Sequence, residues 1–240
     1  MLEETLIPSA ALGRNRAVWL DSPEGHEPAR FCLVLDAENY LCNVGIGAIR
    51  ARLEEAGETG PMTVVFLPFV TPENRHSEYA CHPGFERFVC EDLMAWARLR
   101  FPSLQPGGHA LIGLSLSGLQ AIWTALRHPG LFTAVVGQSP SAWFRNECLR
   151  EAIDPKAEPK ASFWISVGSE ETTSGEIFQP GNLHQTTSQF ESCGRLVDAL
   201  RTAGHDVAYR LFDGHHDAAF WSAELPEALR WVWERIRADG

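Results

Sequence analysis

The sequence lacks the long apolar runs that a membrane-spanning helix needs. Hydrophobic side chains make up 45% of its 240 residues, yet no uninterrupted stretch approaches the ~18–20 apolar residues of a membrane span. The amino-terminal stretch carries acidic residues early and has no apolar core, so it does not resemble a signal peptide. These absences predict a soluble, cytoplasmic chain with no membrane partner.

Basic side chains are scarce as well. Lysine and arginine number 20 against 31 aspartates and glutamates, which gives a net charge of −11. Nucleic-acid binding depends on clustered cations at the phosphates, so this charge balance argues against it. An acidic balance favours solubility and slows the approach of anionic partners, but it leaves the oligomeric state open.

Motifs of metal and nucleotide chemistry are also missing. The six cysteines form no C-x-x-C pair, and the sequence contains neither H-E-x-x-H nor a Walker loop. The segment VGIGAIR at 44–50 lacks the third glycine of a dinucleotide fingerprint. We therefore predict no metal and no cofactor. The cysteines are interpreted as reduced thiols, and a disulfide between Cys81 and Cys90 stays open for an oxidising compartment.

What the sequence does contain is an alternation of short apolar runs with helical patterns. Strands are predicted at 16–20, 31–36, 62–69, 110–114, 134–137, 163–167 and 207–212. Helices are predicted at 46–56, 88–99, 190–203 and 224–237, with another from 115 to 128, and 72–82 is predicted to be irregular. This order predicts one α/β domain over residues 1–240, with a mostly parallel sheet covered by helices on both faces.

The most distinctive motif is HALIGLSLSGL at 109–119, which leads directly into a helical pattern. An apolar run, a serine between small residues and then a helix are typical of a nucleophile elbow, where the serine hydroxyl projects from the sheet's carboxyl edge. Gly113 and Ser117 are the small residues on either side of Ser115, one substitution away from G-x-S-x-G. Because an isolated loop serine usually has no catalytic role, Ser115 needs a base and an acid elsewhere in the chain.

A serine hydroxyl becomes a nucleophile when a base takes its proton, and histidine suits that task near neutral pH. His216 follows the last predicted strand, as the histidine does in the chain order serine, acid, histidine, and the adjacent His215 is the alternative. The acid should follow the preceding strand, and both Glu170 and Glu171 do so. An ordinary acidic helix start is the other interpretation of these glutamates.

Acyl transfer also needs hydrogen-bond donors for the developing oxyanion. The backbone N–H of Leu116, directly after the serine, is the first candidate. The second should come from the loop after the strand at 31–36, and we assign it to the N–H of Glu38. Trp143 and Trp221 are candidates for an aromatic substrate pocket.

These features resemble the esterase D-type branch of the α/β-hydrolases, and most of all the enterochelin (ferric enterobactin) esterases. The resemblance extends over most of the chain. It runs through SAALGRNRAVWLDSP, LVLDAENY, NRHSEYACHPGF, GLSLSGLQAIWTALRHPGLFTAVVGQSPSAWF, VGSEE and DGHHDAAFW. The chain departs from the family at Ser117 and Ala37, where the family has glycine.

The resemblance implies an α/β-hydrolase fold and selects residues within the motifs. The family's R-x-x-E pattern matches Arg75 and Glu78, which implies that both contact the substrate. Its G-x-x-E pattern selects Glu171 as the acid, and its G-G-H-D pattern selects His216 as the base for Ser115. The implied chemistry is a serine–histidine–glutamate triad that needs no cofactor.

We therefore expect a serine esterase that hydrolyses a small-molecule carboxylic ester, a siderophore or another, through an acyl-enzyme. Two alternatives stay open. One is acyl transfer to an alcohol on the same fold, and the other is a non-catalytic ligand-binding relative. Enterochelin esterases often carry an additional N-terminal domain, whereas this sequence is expected to start at the catalytic domain.

Overall fold

The computed structural model describes residues 2–179 and 183–237. Its strands, in chain order, are β1 (Glu3–Ser9), β2 (Arg14–Asp21), β3 (Cys32–Leu35), β4 (Val64–Leu67), β5 (His109–Leu114), β6 (Phe132–Gln138), β7 (Ser162–Gly168), β8 (Ile177–Phe178), β9 (Leu183–His184) and β10 (Asp206–Phe212).

The helices are α1 (Ile46–Glu55), α2 (Pro72–Glu78), α3 (Pro83–Arg87), α4 (Met94–Arg100), α5 (Ser115–Arg127), α6 (Phe144–Glu151), α7 (Gln189–Thr202) and α8 (Ala218–Ile236). Two π-helical segments, Asn39–Val44 and Phe88–Leu93, precede α1 and α4. Within the described part of the chain, no helix is both long enough and apolar enough to cross a membrane.

The main sheet is mostly parallel. Its strand order is β1-β2-β4-β3-β5-β6-β7-β10, and β8 pairs with β9 in a separate small hairpin. From β4 to β10 every neighbouring pair is parallel. Only β1 and β2 add antiparallel pairs at one edge. The predicted parallel sheet is therefore confirmed.

Both faces of the sheet are covered by helices, as predicted. In β5, Leu111 packs into one apolar cluster and Ile112 into the other. Leu119 of α5 lies in the cluster of Leu111, whereas Leu229 of α8 lies in the cluster of Ile112. Because a central parallel strand is buried on both faces, it reads as a continuous apolar run, and all six residues of β5 are buried.

The carboxyl ends of the parallel strands bring the polar loops of the chain to one edge. Asp36 follows β3, Ser115 follows β5 and Ser139 follows β6. Glu171 comes shortly after β7, and His216 comes shortly after β10. Ligands of open α/β sheets bind at this edge, so the topology alone brings these side chains to a candidate site.

Two elements differ from the sequence-based expectation. The prediction of irregular chain over 72–82 is wrong, because α2 occupies Pro72–Glu78. The Thr71 hydroxyl caps this helix by accepting a hydrogen bond from the Asn74 N–H at 3.1 Å, and Pro72 takes a first-turn position where its missing N–H costs nothing. Strand β1 was not predicted; it carries Pro8 and lies at the edge of the sheet, where proline is tolerated.

The structure does not contain the disulfide between Cys81 and Cys90 that the sequence had left open. All six are free thiols. Cys81 Sγ lies 3.5 Å from Cys148 Sγ, so its neighbour is Cys148 and not Cys90. Burial raises the pKa of the Cys90 thiol, which keeps it protonated.

Candidate active site

Ser115 lies at the turn between β5 and α5, and its backbone has the strained conformation of a nucleophile elbow. Its φ of 51° is positive, a region that residues with side chains rarely adopt. The turn packs so tightly that a Cβ on Gly113 would lie 2.3 Å from the carbonyl oxygen of Ser117. Glycine is therefore required at position 113.

Ser117, which takes the place of the family's glycine, fits the elbow without distortion. Its buried Oγ accepts a hydrogen bond from the Leu114 N–H at 2.9 Å and lies 2.8 Å from the Leu114 carbonyl oxygen. It also lies 3.3 Å from Asp36 Oδ2, so the hydroxyl connects the elbow to the loop after β3. The serine thus adds polar contacts that a glycine would lack.

The structure brings Ser115, His216 and Glu171 into contact. His216 Nε2 lies 2.9 Å from Ser115 Oγ, and His216 Nδ1 lies 2.6 Å from Glu171 Oε2. A carboxylate oxygen can only accept, so Nδ1 carries the proton and Nε2 is free to accept from the serine hydroxyl. This arrangement can remove the proton of Ser115 and stabilise the imidazolium that results.

The neighbouring residues that the sequence could not separate form their own pair. His215 Nε2 lies 2.5 Å from Glu170 Oε2, and both side chains are exposed at the rim of the site. Neither contacts Ser115 among the described hydrogen bonds. The geometry therefore favours His216 and Glu171 for the roles that the family pattern assigned to them.

Glu171 is held by groups on the side away from solvent. The residue is 6% exposed, and Oε1 accepts hydrogen bonds from Ser139 Oγ at 2.6 Å and from the Gly168 N–H at 2.8 Å. Ser139 in turn accepts from the indole N–H of Trp221 at 3.1 Å. These bonds fix the carboxylate in the orientation that His216 requires.

Trp221 does not line the cavity, contrary to the expectation of a substrate contact. Its ring lies edge-on to the imidazole of His216, with ring centroids 4.8 Å apart and an interplanar angle of 89°. It is largely buried. Trp221 therefore supports His216 from behind and positions the imidazole.

The two predicted oxyanion donors differ in their surroundings. Leu116 lines the cavity in the first turn of α5, where backbone N–H groups have no acceptor within the helix. Glu38 directly precedes the π-helical segment and does not line the cavity. Its carboxylate accepts from the Phe69 N–H at 3.2 Å, and burial raises the pKa of this carboxyl group although its own N–H and that of Phe69 lower it.

Arg75 lines the cavity, but its guanidinium is already paired. Nε lies 2.8 Å from Asp36 Oδ1 and 3.0 Å from Oδ2, and Nη2 lies 2.5 Å from Oδ2. Asp36 is completely buried. Burial lowers the pKa of Arg75, but hydrogen bonds and charge from Asp36 outweigh this and raise it. The pair connects α2 to the loop after β3.

Glu78 lies away from the cavity, and the structure gives it a different role from the expected substrate contact. Its carboxylate is 3% exposed and forms ion pairs with Arg14 and, at 2.9 Å, with the fully buried Arg16. A buried guanidinium requires a paired acid. Glu78 therefore neutralises Arg16 within the fold.

The cavity in front of Ser115 has a volume of about 420 Å³ and one aromatic wall. Trp143 lines it and stacks on Phe178, with ring centroids 5.8 Å apart and an interplanar angle of 23°. The indole N–H of Trp143 donates to Gln189 Oε1 at 2.6 Å, which holds the ring in place. The volume is in the range of small-molecule sites.

Ser139 is a residue of the candidate site that the sequence motifs did not indicate. It has a positive φ of 42°, is fully buried and bridges Glu171 and Trp221. Its carbonyl oxygen accepts a hydrogen bond from the side chain of Gln189. The signal available in the sequence was its place directly after β6, at the edge where ligands of α/β sheets bind.

A mostly parallel sheet with helices on both faces, a serine elbow after β5 and a histidine after β10 defines an α/β-hydrolase. The chain belongs to the family described as "Putative esterase", whose sequence model matches residues 9–232. Membership of this family supports an esterase.

Individual relatives agree with this family. The chain is 27% identical over 231 residues to the iron(III) enterobactin esterase of Dickeya dadantii, a match that covers 93% of this chain and 53% of that protein. It is 24% identical to the uncharacterized protein YjcH of Bacillus subtilis, covering 95% of this chain and 96% of YjcH. The enterobactin esterase of Shigella flexneri, solved in the presence of enterobactin, has the same fold with a TM-score of 0.80 at 20% identity, covering 98% of this chain and 59% of that one. The chain thus spans little more than half the length of these enterobactin esterases.

Proposed function

We propose that the protein hydrolyses a small-molecule carboxylic ester, with Ser115 as nucleophile, His216 as general base and Glu171 as the acid that orients it. The observation that carries the proposal is the continuous chain of contacts, 2.9 Å from serine to histidine and 2.6 Å from histidine to glutamate. In such an arrangement the histidine can take the serine proton and the glutamate stabilises the imidazolium, which generates a nucleophile.

The reaction begins when Ser115 Oγ attacks the ester carbonyl while His216 Nε2 takes its proton. The negative charge on the carbonyl oxygen is stabilised by the N–H of Leu116 and by the loop after β3, for which we keep Glu38 as the candidate. His216 then gives the proton to the departing alcohol, which leaves an acyl-enzyme. A water molecule, deprotonated by the same imidazole, attacks the acyl group and releases the acid with Ser115 restored.

The substrate class rests on the cavity and on the relatives. A volume of about 420 Å³ accommodates a small molecule or one arm of a larger one. The relatives include iron(III) enterobactin esterases, whose name gives iron(III) enterobactin as the ester on which they act. A siderophore is one candidate within the proposed class, and Trp143 and Arg75 are the proposed contacts at the wall of the site.

Hydrolysis of 4-nitrophenyl acetate and butyrate tests the proposal. Ser115→Ala should lower kcat/KM by at least about 10⁴-fold, because the nucleophile is lost while the other groups stay in place. Ser103→Ala is the matched control, since this serine is exposed on a distant turn and its loss should leave the rate unchanged. Equal rates for the wild type and Ser115→Ala would refute the nucleophile.

Covalent labelling gives a second measurement that does not depend on the chosen substrate. A fluorophosphonate should label the wild type at Ser115, which mass spectrometry of the modified peptide identifies. Labelling should be much slower in His216→Ala, since the serine then lacks its base. A wild type that binds ester ligands without being labelled or turning them over would instead be a non-catalytic binding protein.

A further inference from the structure

We infer that this site accepts neutral or positively charged esters and discriminates against anionic ones. The inference rests on the proposed esterase function of the same site. It concerns the charge of the acyl arm or alcohol that occupies the cavity beside Ser115.

The first observation is that the guanidinium of the cavity is already neutralised. Among the described lining residues, Arg75 is the only lysine or arginine. Its Nε and Nη2 both bind Asp36, a carboxylate with 0% exposure that has no access to water. Withdrawing Arg75 to bind a substrate anion would leave Asp36 charged, buried and unpaired, which is costly. Arg75 can therefore contact a substrate by packing and by hydrogen bonds, but its positive charge is not free to neutralise a substrate anion.

The second observation is the number of acids around the cavity. Glu170, Glu171 and Glu176 all line it. Glu171 is paired with His216 and Glu170 with His215. Glu176 has no ion pair with any residue that the structure describes, and its carboxylate lies 3.3 Å from the hydroxyl of Thr173. An anionic group that enters the cavity meets these carboxylates, and among the described lining residues no lysine or arginine is free to compensate for them.

The third observation is the aromatic wall. Trp143 and Phe178 stack on each other and line the same cavity as Glu176. The faces of aromatic rings carry partial negative charge and attract cations. Aromatic faces beside an unpaired carboxylate therefore form a favourable environment for an ammonium group or an uncharged group, and an unfavourable one for a carboxylate or a catecholate.

Arg145, which has no ion pair with any residue that the structure describes, lines a different cavity. Arg145 lines the neighbouring cavity together with Glu73, and its guanidinium lies 5.0 Å from the ring centroid of Phe144. It does not line the cavity of Ser115. The net charge of −11 adds a repulsive field for anions over longer distances. Local and overall electrostatics thus act in the same direction.

Three 4-nitrophenyl esters of similar acyl length test the inference: the hexanoate, the anionic adipate monoester and the cationic 6-(trimethylammonio)hexanoate. Each kcat/KM is divided by the hydroxide-catalysed rate constant of that ester, which removes differences in intrinsic reactivity. At low ionic strength we expect the anionic ester to be at least about tenfold poorer than the neutral one and the cationic ester to be at least as good. The gap should narrow at about 0.5 M salt. An anionic ester that is as good as the neutral one would overturn the inference.

A pair of variants separates the cavity from the overall field. Glu176→Gln removes the unpaired carboxylate from the cavity and should reduce the discrimination against the anionic ester about threefold. Glu24→Gln removes one charge from an exposed distant loop and should change it much less. Equal effects of the two changes would show that the net charge, and not the cavity, selects the substrate, which contradicts the inference.

Binding separates this inference from the proposed function. The anilides of the same three acids cannot be turned over readily, and their affinities for Ser115→Ala can be measured by calorimetry. If no ester is hydrolysed by the wild type but the anionic anilide still binds most weakly, the proposed esterase function fails and the charge preference stands. If the anionic anilide binds most tightly, the charge preference fails whatever the activity.

Discussion

Glu224 is a buried carboxyl group that makes the stability of the fold depend on pH. It lies in α8, where Oε1 accepts hydrogen bonds from Ser166 Oγ at 2.5 Å and from Gln138 Nε2 at 2.6 Å. Burial raises its pKa from the ordinary 4.5 to about 7, although these hydrogen bonds act in the opposite direction. Gln138 also donates to the carbonyl oxygen of Trp221 at 3.0 Å, so the group lies directly behind the proposed active site.

The sign of the pH effect follows from which state loses its proton first. Well below pH 4.5, Glu224 is protonated in both states and its ionisation costs the folded state nothing. As the pH rises from 4.5 to about 7, the unfolded chain ionises while the folded protein keeps its proton, so the free energy of unfolding falls. At about 1.4 kcal/mol for each pH unit in this window, the total loss is about 3 kcal/mol.

Glu224→Gln removes this titration while keeping the side chain's shape. The amide oxygen can accept the same two hydrogen bonds without a charge. Urea unfolding at about pH 5, 6 and 8 should show the variant gaining about 2–3 kcal/mol relative to the wild type across this range. Glu227→Gln, on the exposed face of the same helix, is the control and should run parallel to the wild type. A constant difference between Glu224→Gln and the wild type at all three pH values would refute the reasoning.

Three further changes test other contacts. Glu78→Ala leaves the buried guanidinium of Arg16 without its partner at 2.9 Å and should lower the free energy of unfolding by about 3–5 kcal/mol in urea titrations. Gly168→Ala places a Cβ 2.2 Å from a carbonyl oxygen of the histidine loop, so we expect kcat to fall by at least about tenfold while circular dichroism stays native. A mild thiol oxidant should cross-link Cys81 to Cys148, whose sulfurs lie 3.5 Å apart; a cross-link from Cys81 to Cys90 in peptide mapping would contradict the structure.

The elements with strong local signals were predictable from the sequence. The apolar run before Ser115 and the small residue at Gly113 identified β5, the elbow and α5, because the tight turn imposes its requirements on residues close in sequence. The alternation of strands and helices identified the parallel sheet, and its carboxyl edge then placed the candidate loops together.

The elements that depend on distant contacts were not predictable. The R-x-x-E pattern could not show that Glu78 faces the buried Arg16 of β2 rather than the substrate, because that ion pair joins residues far apart in the chain. The turn 145–147 at the start of α6 has three successive residues with positive φ, although none of them is a glycine. Such backbone is maintained by its tertiary surroundings, here including the ion pair of Glu147 with Arg195.

Backbone hydrogen bonds between the two loops determine which glutamate pairs with which histidine. The Ser169 N–H donates to the carbonyl oxygen of Phe212 at 2.8 Å, and the Glu170 N–H donates to that of Gly214 at 3.0 Å. These bonds continue the parallel pairing of β7 with β10 into the loops, so that residues 170 and 171 run beside 215 and 216. Once the loops are aligned in this way, Glu170 pairs with His215 and Glu171 pairs with His216. Only His216, which Glu171 holds, then contacts Ser115. The residue types alone do not indicate this choice, because each loop carries two adjacent residues of the same type.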